Sequence, residues 1–149
     1  MKCVVQRVSE ASLTVDEKPV GSIDGGLVVL AGFSDSDTQE QLDWMARKIM
    51  GLRVFADEDG NQNLALEETG GSVVIVPNFT LYGDCRKGRR PSFTRAGDPA
   101  TSSPLYDQFV ELIQFSGIPT VAGVFGSSMQ VSLVNDGPIT LIIEREANA

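Results

Sequence analysis

The sequence predicts an α/β protein of the α+β kind: a mixed or antiparallel sheet with two helices packed on it. Three observations lead there. Apolar runs such as Leu27 to Ala31 and Leu141 to Ile143 have the length of strands. Two longer segments, one closing at Gly51 and one opening at Ser103-Pro104, repeat their apolar residues with the period of a helix. The order read along the chain is β-β-β-α-β-α-β-β-β, without the regular strand–helix alternation of a wound parallel sheet.

Residues 3 to 15 alternate loosely (Val4, Arg7, Val8, Leu13, Val15), and Asp16-Glu17-Lys18 supplies a turn into Pro19 to Ile23, which reads as a hairpin. Gly25-Gly26 breaks the chain before a buried strand, Leu27 to Phe33. The polar stretch Ser34 to Asp37 leads into the first helix. Ser36 and Gln39 have capping-box spacing, Leu42, Met45, Ala46 and Ile49 share one face, and Gly51 is placed to end the helix. Asp57 to Asn61 lacks the alternating ligands and terminal Glu of a calcium loop and reads as a solvated turn. Val73 to Val76 is strand-like, and Asp84 to Ala100 is a polar loop containing Gly and Pro. The second helix is expected to begin at Ser103 with Pro104 at its first position and to bury Leu105, Phe109, Leu112 and Ile113. Thr120 to Phe125, Met129 to Val134 and Ile139 to Glu144 read as three strands, the last two joined through Gly137-Pro138 as a plain hairpin turn. No repeat or linker divides residues 1–149, which are expected to form a single domain.

A chain of 149 residues buries roughly 70% of the surface its unfolded form exposes, enough for a core without staples. No apolar run approaches the ~20 residues of a membrane helix, and the start Met1-Lys2-Cys3-Val4-Val5-Gln6-Arg7 has no signal-peptide pattern, so a cytoplasmic protein is expected. Cys3 and Cys85 suggest neither a disulfide framework nor a zinc site. There are no histidines, which removes Ser-His-Asp, Cys-His and His-metal mechanisms. Catalysis would have to rest on backbone groups, carboxylates, hydroxyls or the substrate, with no metal and no cofactor. The net charge of −8 disfavours broad binding to nucleic acid. Yet five of the twelve basic residues, Arg86, Lys87, Arg89, Arg90 and Arg95, fall in one stretch, which suits a local phosphate contact.

Three segments could carry chemistry. In Val76-Pro77-Asn78-Phe79-Thr80-Leu81-Tyr82-Gly83-Asp84 a strand runs out beside the basic loop, a place where rigid backbone can aim N–H groups at a ligand. A Thr80 nucleophile would need an activating base, so a β-branched strand residue is the better reading of that position. The second is Val134 to Thr140, with the Gly-Pro step. The third is Arg86 to Phe93, where Gly88 and Pro91 shape a cluster of guanidinium groups.

Taken in order, Val4-Val5-Gln6-Arg7-Val8-Ser9, Phe79 to Asp84 with Lys87 to Phe93, and Phe125-Gly126 through Met129 to Pro138 resemble the D-aminoacyl-tRNA deacylases over essentially the whole chain. The resemblance implies a barrel-like core, a homodimer, and hydrolysis of the ester joining a D-amino acid to tRNA. It implies a cis Gly137-Pro138 pair that reaches the partner subunit's site and rejects L-amino acids, with Arg7 bracing the pair. Asn78, Phe79 and Thr80 would hold the ester carbonyl, backbone N–H groups acting on a bound water together with the tRNA 2′-hydroxyl. Phe125 and Met129 would line an adenosine pocket, and Arg86, Lys87, Arg89 and Arg90 would meet the tRNA. Glycine has no side chain to clash, so glycyl-tRNA is an expected substrate. The chain departs from the family's pattern at Pro77-Asn78, where Ser-Gln is usual; an animal branch with Pro at the first position edits an L-amino acid. Two alternatives follow from that departure: a catalytically impaired binding protein on the same scaffold, or altered stereoselectivity.

Overall fold

The loose alternation of the first strand has a geometric origin. In the computed structural model, which describes residues 1–147, β1 (Lys2–Val15) buries Cys3 and Val5 on one face of the sheet, then Val8, Ala11, Leu13 and Val15 on the other. Side chains of a strand change face at every residue, so this pattern requires a one-residue slip, and the ladder is irregular between Val8 and Glu10. One edge of β1 pairs with β8 (Met129–Glu144) along its length; the other pairs with β3 (Gly26–Gly32) and then with β2 (Lys18–Ile23). The turn from β1 to β2 places Asp16 and Glu17 at positive φ, as a two-residue hairpin requires.

β3 continues in parallel to β6 (Ser72–Pro77), and β6 to β7 (Thr120–Ala122). Leu27 to Ala31 and Val73 to Val76 are unbroken apolar runs because the sheet is covered on both faces there. The sheet then curls until β2 approaches β7. A Cβ at Gly21 would lie 2.9 Å from a Val121 methyl, so glycine permits the near closure of the barrel.

Helices α1 (Gln39–Gly51) and α3 (Pro99–Phe115) cover the outer face. Leu42, Met45 and Ile49 meet Phe109 and Ile113 over Val5, Val29 and Ile75. Phe109 has no exposed surface, and truncation to alanine there would cost about 3–5 kcal/mol. The sequence reading missed the small hairpin β4 (Phe55–Ala56) and β5 (Gln62–Leu64) and the one-turn helix α2 (Leu66–Thr69). It placed the Asp57–Asn61 turn between those strands correctly: Asp57 Oδ1 accepts from the N–H groups of Asp59 and Asn61.

Three boundaries differ from expectation, each for a local reason. Helix α1 is capped by Thr38, whose N–H donates to Gln41 Oε1 at 2.8 Å, and not by Ser36. Asp37 is committed elsewhere: its Oδ1 accepts from the Met1 ammonium at 2.7 Å and its Oδ2 from Ser34 N–H, with both charged groups fully buried. That holds residues 34–37 in a turn until Thr38. Helix α3 begins at Asp98-Pro99, because the Asp98 carboxylate caps Ala100 N–H at 2.8 Å, and Pro104 lies within the helix. Finally, Met129 to Glu144 is one strand. Both halves run antiparallel to β1, so the chain does not reverse at Gly137-Pro138 as a hairpin would demand. The partners jump from Gln6↔Thr140 to Val8↔Asn135, which leaves residues 136–139 looped out as a bulge.

Candidate active site

The end of β6 is built by alternation of its N–H groups. Asn78 N–H donates to Ala31 of β3 at 2.8 Å, whereas Val73, five residues back, donates to Pro119 on the opposite side. Pro77 shares the side of Val73, past the last β6–β7 pair, so its missing donor breaks no ladder bond. Beyond it Asn78 caps a 3₁₀ turn, Phe79–Tyr82, with its Oδ1 accepting from Thr80 N–H at 3.2 Å and from the Thr80 hydroxyl. The next donors, Leu81 and Gly83, bond to Asn78 and Thr80 carbonyls. Among the described residues, the Phe79 N–H alone in this segment of the turn has no acceptor.

This turn forms one wall of a cavity of about 940 Å³, within the size range of small-ligand sites. Pro77, Asn78 and Phe79 line it, together with Phe125 and Met129 and with Phe93, Thr94 and the segment Ala96 to Pro99. Phe125 is backed by Tyr106, at a ring-centroid distance of 6.4 Å. The Tyr106 hydroxyl lies 2.8 Å from Gly123 O and 3.1 Å from Ile75 O, tying α3 to the strands behind the site. Burial pushes that hydroxyl's pKa up, which keeps it a donor. Of the lining residues only Asp98 is ionisable, and its carboxylate caps α3. The Thr80 hydroxyl meets an amide oxygen, not a base.

The basic loop is divided in two. Asp84 and Ser92 exchange backbone hydrogen bonds at 2.7 and 2.9 Å, closing the stem, and Arg86 forks onto Asp84 through Nε and Nη2 at 2.9 and 2.7 Å. These bonds, from the side chain first and then the backbone N–H of Arg86, hold the Asp84 carboxyl down to about 2. Arg86 thus braces the stem, while Lys87, Arg89 and Arg90 stand exposed at the tip.

Gly137, Pro138 and Arg7 lie apart from this cavity in the same chain. The Gly137–Pro138 peptide is cis, and Gly137 has φ +124°. A Cβ there would sit 3.0 Å from Ile139 N and 3.2 Å from Arg7 Nη2, so the bulge accepts only glycine. Asn135 closes its base, donating through Nδ2 to Arg7 O and Ile139 O, both at 2.9 Å. Arg7 bonds Val54 O through Nη1 and pairs with Asp136 at 3.3 Å, next to the Gly-Pro step where a brace was expected. Asn135, the cap role of Asn78 and the brace by Arg86 escaped the sequence reading: Asn135 depends on Arg7, brought in by the fold, whereas Asn78 and Arg86 bond Thr80 and Asp84 two residues away, local pairings that residue types alone leave open.

The model of the family described as D-Tyr-tRNA(Tyr) deacylase matches residues 4–144. Curated proteins named D-aminoacyl-tRNA deacylase from Desulfatibacillum aliphaticivorans and Thermotoga petrophila are 51% and 50% identical over 144 residues, 97% of this chain and 99% and 97% of theirs. Among solved structures, one titled c-Myc DNA Unwinding Element Binding Protein superposes with a TM-score of 0.92 at 39% identity, covering 99% of this chain and 100% of that one. A second, titled as a probable eukaryotic D-amino acid tRNA deacylase, has a TM-score of 0.83 at 19% identity over 95% and 97% of the two chains, and shares the fold. With a family match over nearly its full length and relatives at half identity, the chain belongs to the D-Tyr-tRNA(Tyr) deacylase family and is a hydrolase of the ester bond in D-aminoacyl-tRNA.

Proposed function

We propose that the deacylation proceeds by attack of a bound water on the ester carbonyl, with the Phe79 N–H as the oxyanion donor and the terminal 2′-hydroxyl of the tRNA assisting. The observation that carries this reading is the unclaimed N–H of Phe79, a residue that lines a cavity whose one ionisable side chain is already spent. Asn78 and Thr80 serve by fixing the turn. Phe125 and Met129 receive the terminal adenosine, and Lys87, Arg89 and Arg90 meet tRNA phosphates. The protein works as a cytoplasmic homodimer. The Gly137-Pro138 bulge stands outside its own chain's cavity, which leaves it to the cavity of a second copy. Its carbonyl oxygens would bind the substrate ammonium and fix Cα, so that an L side chain strikes backbone and a D side chain points outward. Glycyl-tRNA is a substrate on the same logic. Among the described residues no helix is long and apolar enough to cross a membrane.

The test is deacylation of D-tyrosyl-, L-tyrosyl- and glycyl-tRNA by chelator-treated protein. Rapid loss of the D and glycyl esters with the L ester spared is expected. Loss of the L ester at a similar rate would assign altered stereoselectivity to Pro77-Asn78. Binding of all three without turnover would make the chain a binder on this scaffold.

A further inference from the structure

Phe93 is a second aromatic feature of the cavity that the proposed reaction does not use. It follows directly on the Asp84–Ser92 bridge, so its backbone is anchored by the closed stem of the basic loop. Its ring meets Phe79 edge to face at a centroid distance of 5.2 Å. It also rests against Gly83, where a Cβ would stand 3.0 Å from Phe93 Cε1. With its ring supported on two sides, Phe93 still keeps 38% of the residue's surface exposed, and Phe79 keeps 53%. Exposed rings are ordinarily costly to leave in water, and this pair sits where the cavity wall gives way to a loop bearing Lys87, Arg89 and Arg90. Five of the twelve basic residues, Arg86 to Arg95, fall in the one stretch that carries the ring, while the other seven are scattered through an otherwise acidic chain. An aromatic face beside unpaired cations is the arrangement that holds single-stranded nucleic acid: bases stack on the ring while the cations follow the phosphates.

We infer that Phe93 is a stacking platform for the nucleobase that precedes the terminal adenosine of the bound tRNA. The inference rests on the reading of the cavity as the site of that adenosine. Stacking is indifferent to base identity and holds the single-stranded 3′ end on a fixed path between the cavity and the loop tip. The platform therefore positions the ester without touching it.

Equilibrium binding of two probes, adenosine and the trinucleotide CCA, separates this role from support of Phe79. Wild-type protein is expected to bind CCA more tightly than adenosine. Phe93→Leu, which keeps bulk but removes the π face, should weaken CCA about tenfold and leave adenosine unchanged. Phe93→Trp should retain CCA binding, a rescue that a merely structural role does not predict. Equal weakening of both probes, or no change in either, would overturn the platform. Because binding and turnover are measured separately, the two readings fail separately. A wild type that deacylates D-tyrosyl-tRNA but binds CCA no better than adenosine sinks the platform alone. One that binds CCA through Phe93 without deacylating sinks the reaction assigned to the cavity.

Discussion

Thr80→Val removes one hydroxyl and little else. The side chain is exposed, its volume is conserved, and the backbone N–H that Asn78 Oδ1 accepts at 3.2 Å remains. What is lost is the bond from the Thr80 hydroxyl to Asn78 Oδ1. A typical intramolecular hydrogen bond is worth about 0.5–1.5 kcal/mol net. If all of it entered the barrier through loosening of the turn, kcat would fall by about two- to thirteenfold, since 1.36 kcal/mol corresponds to tenfold. A covalent nucleophile behaves otherwise: deletion of a catalytic serine costs on the order of a millionfold. The two mechanisms are thus separated by several powers of ten. Single-turnover deacylation of D-tyrosyl-tRNA, with an acid quench to trap any acyl-enzyme, reads the difference. A fall beyond a thousandfold in a folded Thr80→Val protein, or an acyl group on Thr80 in the wild type, would refute the backbone mechanism.

Three other outcomes follow from the geometry. Asp37→Asn leaves the fully buried Met1 ammonium without its charged partner and should cost about 3–5 kcal/mol, a fall in Tm of roughly 10 °C or more at matched protein concentration; Glu40→Gln, which loses an exposed 3.7 Å pair with Arg145, should stay within about 1 kcal/mol, and equal effects in calorimetry would contradict the burial argument. The Asp84 carboxyl, lowered from 3.8 to about 2, lends stability that is complete above about pH 4 and lost as pH falls through about 2; Arg86→Ala should return its NMR titration toward 3.8, and an unchanged midpoint would deny that Arg86 is the cause. Replacing Arg89 or Arg90 by Gln should reduce the salt slope of tRNA binding by about 0.7 each, whereas Arg86→Gln should leave it unchanged because that guanidinium is already paired; a loss at Arg86 equal to that at Arg89 would place Arg86 on the RNA.

Local sequence determined much of this molecule. The helical face of Leu42, Met45, Ala46 and Ile49, the buried runs Leu27–Ala31 and Val73–Val76, the turn at Asp57 and the absence of histidine all express properties of neighbouring residues, and they survive into the fold because period and burial agree. The ordered blocks around Phe79, Arg90 and Gly137 carried the family. Other features were decided by partners distant in sequence. Helix α1 is capped by Thr38 because Asp37 is drawn to Met1; Gly21 is small because Val121 comes to meet it. Asp136 to Ile139 is a bulge and not a hairpin because β1 pairs with the strand on both sides of it, and residue types permit either. In the site both scales act. Asn78 N–H is taken by Ala31 across the sheet, while the bonds of Thr80, Leu81 and Gly83 that leave the Phe79 N–H free, and the pairing of Arg86 with Asp84, are made within a few residues. Propensity and pattern act within a few residues, but pairing with partners distant in sequence is decided only when the closed sheet brings them together.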